Sequence, residues 1–377
     1  MEHSGGQGQQ DKTASRPNKG RFEEIDVFAS GKEGYHTYRI PALIVSKKGT
    51  VLAFCEGRKG GQGDSGKIDL LLKRSSDGGK SWDKMQTVWA DGPNTCGNPC
   101  PVVDANTGVI WLLMTWNLGS DSERQIMAAT SKDTRRVFVT HSKDDGATWE
   151  KPSDITKDAK LPHWRWYATG PGHGIQLKSG RLLIPCDHSD HSGGGHPYRS
   201  HVIYSDDQGK TWKLGGATGE KTNECTALEA SDGSICLNMR SYHGRNRRAV
   251  AWSKDAGQTW SDVTLDDALV EPVCQASILR LTEAKQHDKD RVLFCNPAGT
   301  KRESLTVRLS YDQCKTWPAA KTVCAGPAAY SDLSVGSDWT ILCLYEQGGY
   351  ASLRLARFNL EWLTDGKDAV GAAPALR

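Results

Sequence analysis

The chain has 377 residues, 25% of them charged, and a formal net charge of only +3. So balanced a composition gives no bulk field to gather nucleic acid or a membrane surface, and any anion site must be local. No apolar run approaches the roughly 18 residues needed to span a bilayer, and the length suits two average domains or one large all-β domain.

Residues 1–20 are rich in Gln, Gly, Ser, Lys and Asn and lack an apolar signal core. A disordered tail is expected there and, for the chain as written, a cytoplasmic location, or a secreted or periplasmic one if a leader has been removed. The next segment, FEEIDVFA at 22–29, reads as a single strand. Six hairpins rich in Val, Ile and Leu then follow in order, at 42–58, 101–116, 174–188, 225–240, 276–297 and 331–346, each folding over a polar or Gly turn. After each of the first five comes another strand and an eight-residue box, SxDxGx(T/S)W, at 75–82, 142–149, 205–212, 253–260 and 310–317. Successive boxes start 67, 63, 48 and 57 residues apart, the order of one four-stranded propeller blade.

In each box the Asp can fold onto backbone amides of its own turn, the Gly supplies a positive φ and the Trp can pack between sheets. Cys314 takes the Gly position in the last copy, so that turn is expected to be strained. After the sixth hairpin the run SLRLARFNLEWL supplies one more strand without a box. The strand at 22–29 is then available to complete that unit. The expected fold is an all-β, six-bladed β-propeller over residues 21–365, with four antiparallel strands per blade and a flexible tail at 366–377. The eleven cysteines are scattered, several inside apolar strands, which favours reduced core thiols over disulfides. Cys96 and Cys100 have no second ligand pair at zinc spacing.

In an antiparallel hairpin the entry of the first strand lies beside the exit of the second. Arg39 is thereby placed near Arg58, Glu224 nearly opposite Arg240, and Tyr330 nearly opposite Glu346. Asp64 and Arg302, in the loops joining second and third strands, belong to the same face, and the boxes to the other. Each residue alone could be an ordinary strand-end or rim side chain. Together, four guanidinium groups around one mouth repel each other unless they bind an anion, which asks for a carboxylate or phosphate ligand.

These residues, with YRIP at Tyr38–Pro41, the boxes, and the stretches 56–75, 167–185, 223–240 and 329–346, give a chain that resembles the exo-sialidase (neuraminidase) family from about Phe22 to Leu363. The resemblance implies glycoside hydrolysis of terminal sialic acids on glycans, with no cofactor and no metal; a monomer is expected. It implies that Arg39, Arg240 and Arg302 hold the sugar carboxylate and that Glu346 orients Arg39. Tyr330 would be the nucleophile, Glu224 its base and Asp64 the general acid/base. A phenol suits an anomeric carbon that already bears a carboxylate, because an anionic nucleophile would be repelled.

Arg58 is open between the sugar's O4 region and a salt bridge to Asp64 or Glu56. Asp69 competes with Asp64, and Arg308 with Arg302, but both competitors fall inside strands. The run Trp164–Tyr167 is either a binding loop or packing. Asp187, His188, Asp190, His191 and His196 form either a metal cluster or a solvated loop. A trans-sialidase, an intramolecular trans-sialidase and a glycan-binding propeller without turnover would share most of these features.

Overall fold

The computed structural model describes residues 19–193 and 197–370. The architecture is all-β, with only three helices among the described residues, none longer than five residues. None is long and apolar enough to cross a membrane.

The strands fall into antiparallel runs along the chain. The first comprises Thr37–Val45, Val51–Arg58, Ile68–Ser75 and Gln86–Trp89. Thr95–Val103, Ile110–Asn117, Arg136–Ser142 and the short Ser153–Asp154 form the second. The third has Trp164–Thr169 and Ile175–Gln176 on one side of Leu182–Asp190, then Tyr198–Ser205 and Lys213–Glu220. Thr222–Glu229, Ile235–Ser241, Arg247–Ser253 and Thr264–Val270 follow. The long strand Ala319–Val335 serves two runs: its first half pairs with Glu303–Ser310, beyond which lie Arg291–Pro297 and Ser277–Thr282. Its second half pairs with Ile341–Gln347, which leads to Ser352–Phe358 and finally to Phe22–Ala29. The N-terminal strand thus completes the C-terminal sheet, as its sequence position suggested. Hydrogen bonding joins the runs into four sheets, none of which closes on itself among the described residues.

Apolar side chains on alternating strand positions fill the spaces between runs. Six of the core clusters each span two neighbouring runs: Phe54 and Leu72 of the first run meet Leu112 and Met114 of the second, and Leu43 and Leu71 of the first meet Leu344 and Leu355 of the last. The box tryptophans seal these seams, with Trp149 edge-on to Phe54 and Trp317 tilted against Phe294.

In the box at 142–149 the Asp144 carboxylate accepts from Ser142 Oγ at 2.8 Å, from Thr148 N at 2.9 Å and from Thr148 Oγ1 at 2.5 Å, while Gly146 N donates to Ser142 Oγ. Gly146 has φ +78, and a Cβ there would lie 2.4 Å from Leu52 Cδ2, so the glycine serves both the turn and the seam. Cys314 adopts the same left-handed backbone at φ +69.

The run 352–363 supplies its expected strand at Ser352–Phe358, but the end of that run is corrected. The segment after Phe358 is not a continuing strand: Asn359 accepts from Trp362 N and caps a helical turn at Leu360–Leu363. That turn puts Trp362 against Phe22, ring centroids 4.5 Å apart, where it does the work of a box Trp. Contacts also reach residues on either side of 21–365. Lys19 O accepts from Asn359 Nδ2, and Asp368 pairs with buried Arg291 at 2.7 Å. Residues 1–18 and 371–377 of the expected tails lie outside the described residues. All eleven cysteines are free thiols, nine of them buried, including Cys96 and Cys100.

Candidate active site

The innermost strands carry β-bulges at the same end. The register slips between Arg39 and Ala42, between Thr222 and Cys225, and between Ala328 and Ser331. Two residues then face one across the ladder, bending the strand and re-aiming its side chains. Glu224 accordingly faces Arg240, and Tyr330 faces Glu346. Arg39 pairs in register with Glu56, and Arg58 with Thr37, two residues off the expected juxtaposition.

These strand ends line one cavity of about 190 Å³. Five guanidinium groups face it, from Arg39, Arg58, Arg135, Arg240 and Arg302, together with the carboxyls of Glu56, Asp64, Glu123, Asp187 and Glu224. Tyr330 is buried at its wall and donates to Glu224 Oε1 at 2.5 Å. Arg240 Nη1 lies 2.9 Å from Glu224 Oε2 and 3.1 Å from Tyr330 Oη, touching both members of that pair. Burial, then the negative charge of Glu224, push the Tyr330 phenol well above its ordinary pKa.

Arg39 is held from behind by Glu346, with Nε to Oε1 at 2.9 Å and Nη2 to Oε2 at 3.3 Å. The same carboxylate accepts from the backbone of Ile40 and Tyr330, so one buried acid fixes both strands. Glu346 itself does not line the cavity. Arg302 makes no ion pair among the described residues; its partners are Tyr350 Oη and Val273 O.

Asp64 sits on the rim, its side chain 58% exposed, 2.8 Å from Arg58 and 3.7 Å from Arg39. Burial works to raise its pKa, but Arg58 and Arg39 outweigh that and hold the carboxyl below the usual range. Arg58 also grips Glu56 at 2.6 Å, so it does face the cavity while serving as a salt-bridge partner of both acids.

Seven of the eight predicted residues therefore meet at one cavity, with Glu346 directly behind. The competitors do not: Asp69 is buried against Tyr35 Oη, and Arg308 donates to Asn296. The run 164–167 divides, with Trp166 on the cavity and Trp164 stacked on His188 at 3.4 Å. The Asp/His run also divides. Asp187 lines the cavity, His188 meets His201, Asp190 faces Arg199, and His196 lies outside the described residues. Among the described residues no cluster of three or more His, Cys, Asp or Glu is arranged for a metal.

Sequence reasoning missed Asn98, Glu123, Arg135 and Asn223 on the wall of the cavity, and singled out Asp187 only as a candidate metal ligand or loop residue. Buried Arg135 is held by neutral oxygens of Asn98, Asn117 and Tyr167 and stacks on Trp166 at 4.0 Å. Asp187, fully buried and near Glu224, has its pKa raised well above the usual range by burial and then by that neighbour. Asn223 and Asn98 could have been found from their places beside Glu224 and in a bulge; nothing local marks Arg135.

The chain matches the BNR repeat-like domain family over residues 33–343. It is 36% identical over 365 residues to a sialidase of Micromonospora viridifaciens, an alignment covering 91% of this chain but only 54% of the relative, so the chain spans about half that protein's length. An exo-alpha-sialidase of Aspergillus fumigatus is 32% identical over 368 residues, covering 88% of this chain and 86% of the relative. The solved structure of a Hadza microbial sialidase superposes with a TM-score of 0.84 at 30% identity, over 90% of this chain and 69% of the other. With the repeats, the all-β fold and these relatives in agreement, the chain belongs to the sialidase family of glycoside hydrolases.

Proposed function

We propose that this chain is a retaining exo-α-sialidase built on a six-bladed propeller and working through a covalent sialyl-tyrosine intermediate. The observation that carries the reading is the triad of contacts among Tyr330, Glu224 and Arg240 at 2.5–3.1 Å, beside arginines that face a common cavity. Support for the ring comes from the core clusters, which link each run to the next and the last to the first.

In this mechanism Arg39, Arg240 and Arg302 hold the substrate carboxylate with forked, charge-assisted donors. With its pKa raised by burial and by Glu224, Tyr330 is neutral in the resting enzyme and loses its proton to Glu224 as its oxygen attacks the anomeric carbon. Asp64 gives a proton to the departing glycosidic oxygen. It then takes one from water, whose oxygen attacks the same carbon while Tyr330 leaves and recovers its proton from Glu224. Two displacements at one centre retain configuration. The resting Asp64 is ionised, so the bound sugar carboxylate has a second role: its negative charge offsets Arg39 and makes Asp64 easier to protonate. The polar wall of Asn98, Glu123, Arg135 and Asn223 offers partners to sugar hydroxyls.

The test is release of sialic acid from a fluorogenic sialoside between pH 4 and 8. Trapping with a fluorinated sialosyl inhibitor should add mass to the peptide containing Ala329-Tyr330-Ser331. Absence of any released sugar favours a binding protein, and an adduct on Glu224 or Asp64 overturns the mechanism.

A further inference from the structure

Three bulky residues with left-handed backbones surround the arginines: Ile40 at φ +60, Val273 at φ +56 and Tyr350 at φ +72. Such conformations are unfavourable for side chains with a Cβ and persist only where the surroundings over-determine them. Ile40 follows Arg39, and Val273 accepts from Arg302 through its carbonyl. Tyr350 follows Gly348 and Gly349, which are also left-handed. Its backbone is pinned on both sides: Gly348 N donates to Pro327 O, Ala351 N to Gln347 O, and Ser30 Oγ to Tyr350 O at 2.7 Å.

This strained loop presents a single ring to two cations. The Arg39 guanidinium lies over the Tyr350 ring, 4.3 Å from its centroid, and Arg302 Nη1 donates to Tyr350 Oη at 3.1 Å. The Tyr330 ring also approaches both arginines, its centroid 5.2 Å from Arg39 and 5.5 Å from Arg302. Tyr350 does not line the main cavity. It borders a separate void of about 100 Å³ behind the arginines, with Arg302, Ala329 and Glu346. Arg39 has Glu346 to balance its charge, whereas Arg302 has no carboxylate among the described residues. An unpaired guanidinium beside another cation swings outward to water unless something neutral holds it.

We propose that Tyr350 is the positioning residue of the carboxylate clamp, its ring fixing Arg39 and its hydroxyl fixing Arg302 so that both forks face the same anion before substrate arrives. The proposal rests on the reading of Arg39, Arg240 and Arg302 as that clamp. Because the carboxylate is gripped in both the ground state and the transition state, loosening the clamp weakens binding more than it slows turnover.

The experiment compares wild type, Tyr350→Phe, Tyr350→Leu and Arg302→Ala for kcat and KM on a fluorogenic sialoside, for the Kd of free sialic acid by calorimetry, and for Tm. Loss of a hydrogen bond to a charged group predicts a rise in KM and Kd of about tenfold for Tyr350→Phe, with a much smaller change in kcat. Tyr350→Leu, which also loses the stack on Arg39, should weaken binding further. Wild-type KM and Kd in Tyr350→Phe, while Arg302→Ala abolishes binding, would overturn the role of Tyr350 and leave the clamp intact. So would a lowered Tm in both Tyr350 variants with unchanged KM, which would mean packing alone. A wild-type protein that binds no sialic acid removes the clamp, and the proposal with it.

Discussion

Asp64 and Arg302 show why single side chains at this site depend on their electrostatic company. A general acid must carry its proton when the leaving group departs, yet Arg58 and Arg39 keep the free Asp64 carboxyl ionised at neutral pH. For substrates with poor leaving groups, kcat/KM should therefore rise as pH falls from 7 toward the acid range. Aryl sialosides, whose leaving groups need no proton, should show a flatter profile. Asp64→Ala should slow the former far more than the latter, and equal losses on both would mean that Asp64 is not the acid. Arg302→Lys should cost about tenfold or more in kcat/KM, because an ammonium cannot reproduce the fork. Arg308→Lys, at a residue bound to Asn296 away from the cavity, should stay near wild type. The reverse order would put the third arginine of the clamp at 308.

At the level of elements, the boxes are turns closed by one carboxylate, and their chemistry is structural. Thr148, through its hydroxyl and then its amide, holds Asp144 at a pKa of about 2. Asp144→Ala should lower stability by about 1–2 kcal/mol through the lost turn contacts, read as a drop in Tm, with KM and kcat unchanged because no box residue lines the cavity. Lost activity with an unchanged Tm would place the boxes wrongly. The bulges at the opposite strand ends have the other role, standing Glu224 and Tyr330 out of the ladder where each meets a partner across the cavity.

For the whole molecule, the seam between the last two runs is closed from the C-terminal side. Asp368, held near pKa 2 mainly by Arg291 against its own burial, ties the segment after Thr364 to a fully buried guanidinium. Because the folded value lies below the usual carboxylate value, this stabilisation is present above about pH 4 and is lost as pH falls through about 2. Asp368→Asn should lower Tm at pH 7, by an amount equivalent to roughly 1–3 kcal/mol. The gap to wild type should close as pH approaches 2, and a gap independent of pH would mean that the charge is not what matters.

The local features of this protein were legible in its sequence, because turns and hairpins are settled within a few residues. The boxes, the hairpins and the strand at 22–29 stand where the pattern put them, and entry-to-exit pairing brought Glu224 to Arg240. The bulge between Arg39 and Ala42 accounts for one residue of the two-residue offset of Arg58, and the turn, which pairs Val45 with Val51, accounts for the other. Contacts between distant segments carried no local signal. Trp362 sealing the last seam, Arg135 behind the cavity, Asp368 on Arg291 and Tyr350 bridging two arginines each depend on which surfaces the folded chain brings together. Tyr350 and Arg302 are 48 residues apart, and Arg39 and Glu346 are 307 apart. Sequence by itself determined the repeats and the residue types at each strand end. Only the tertiary structure decided which charges face each other, because Coulomb and hydrogen-bond energies follow distance in space and not separation along the chain.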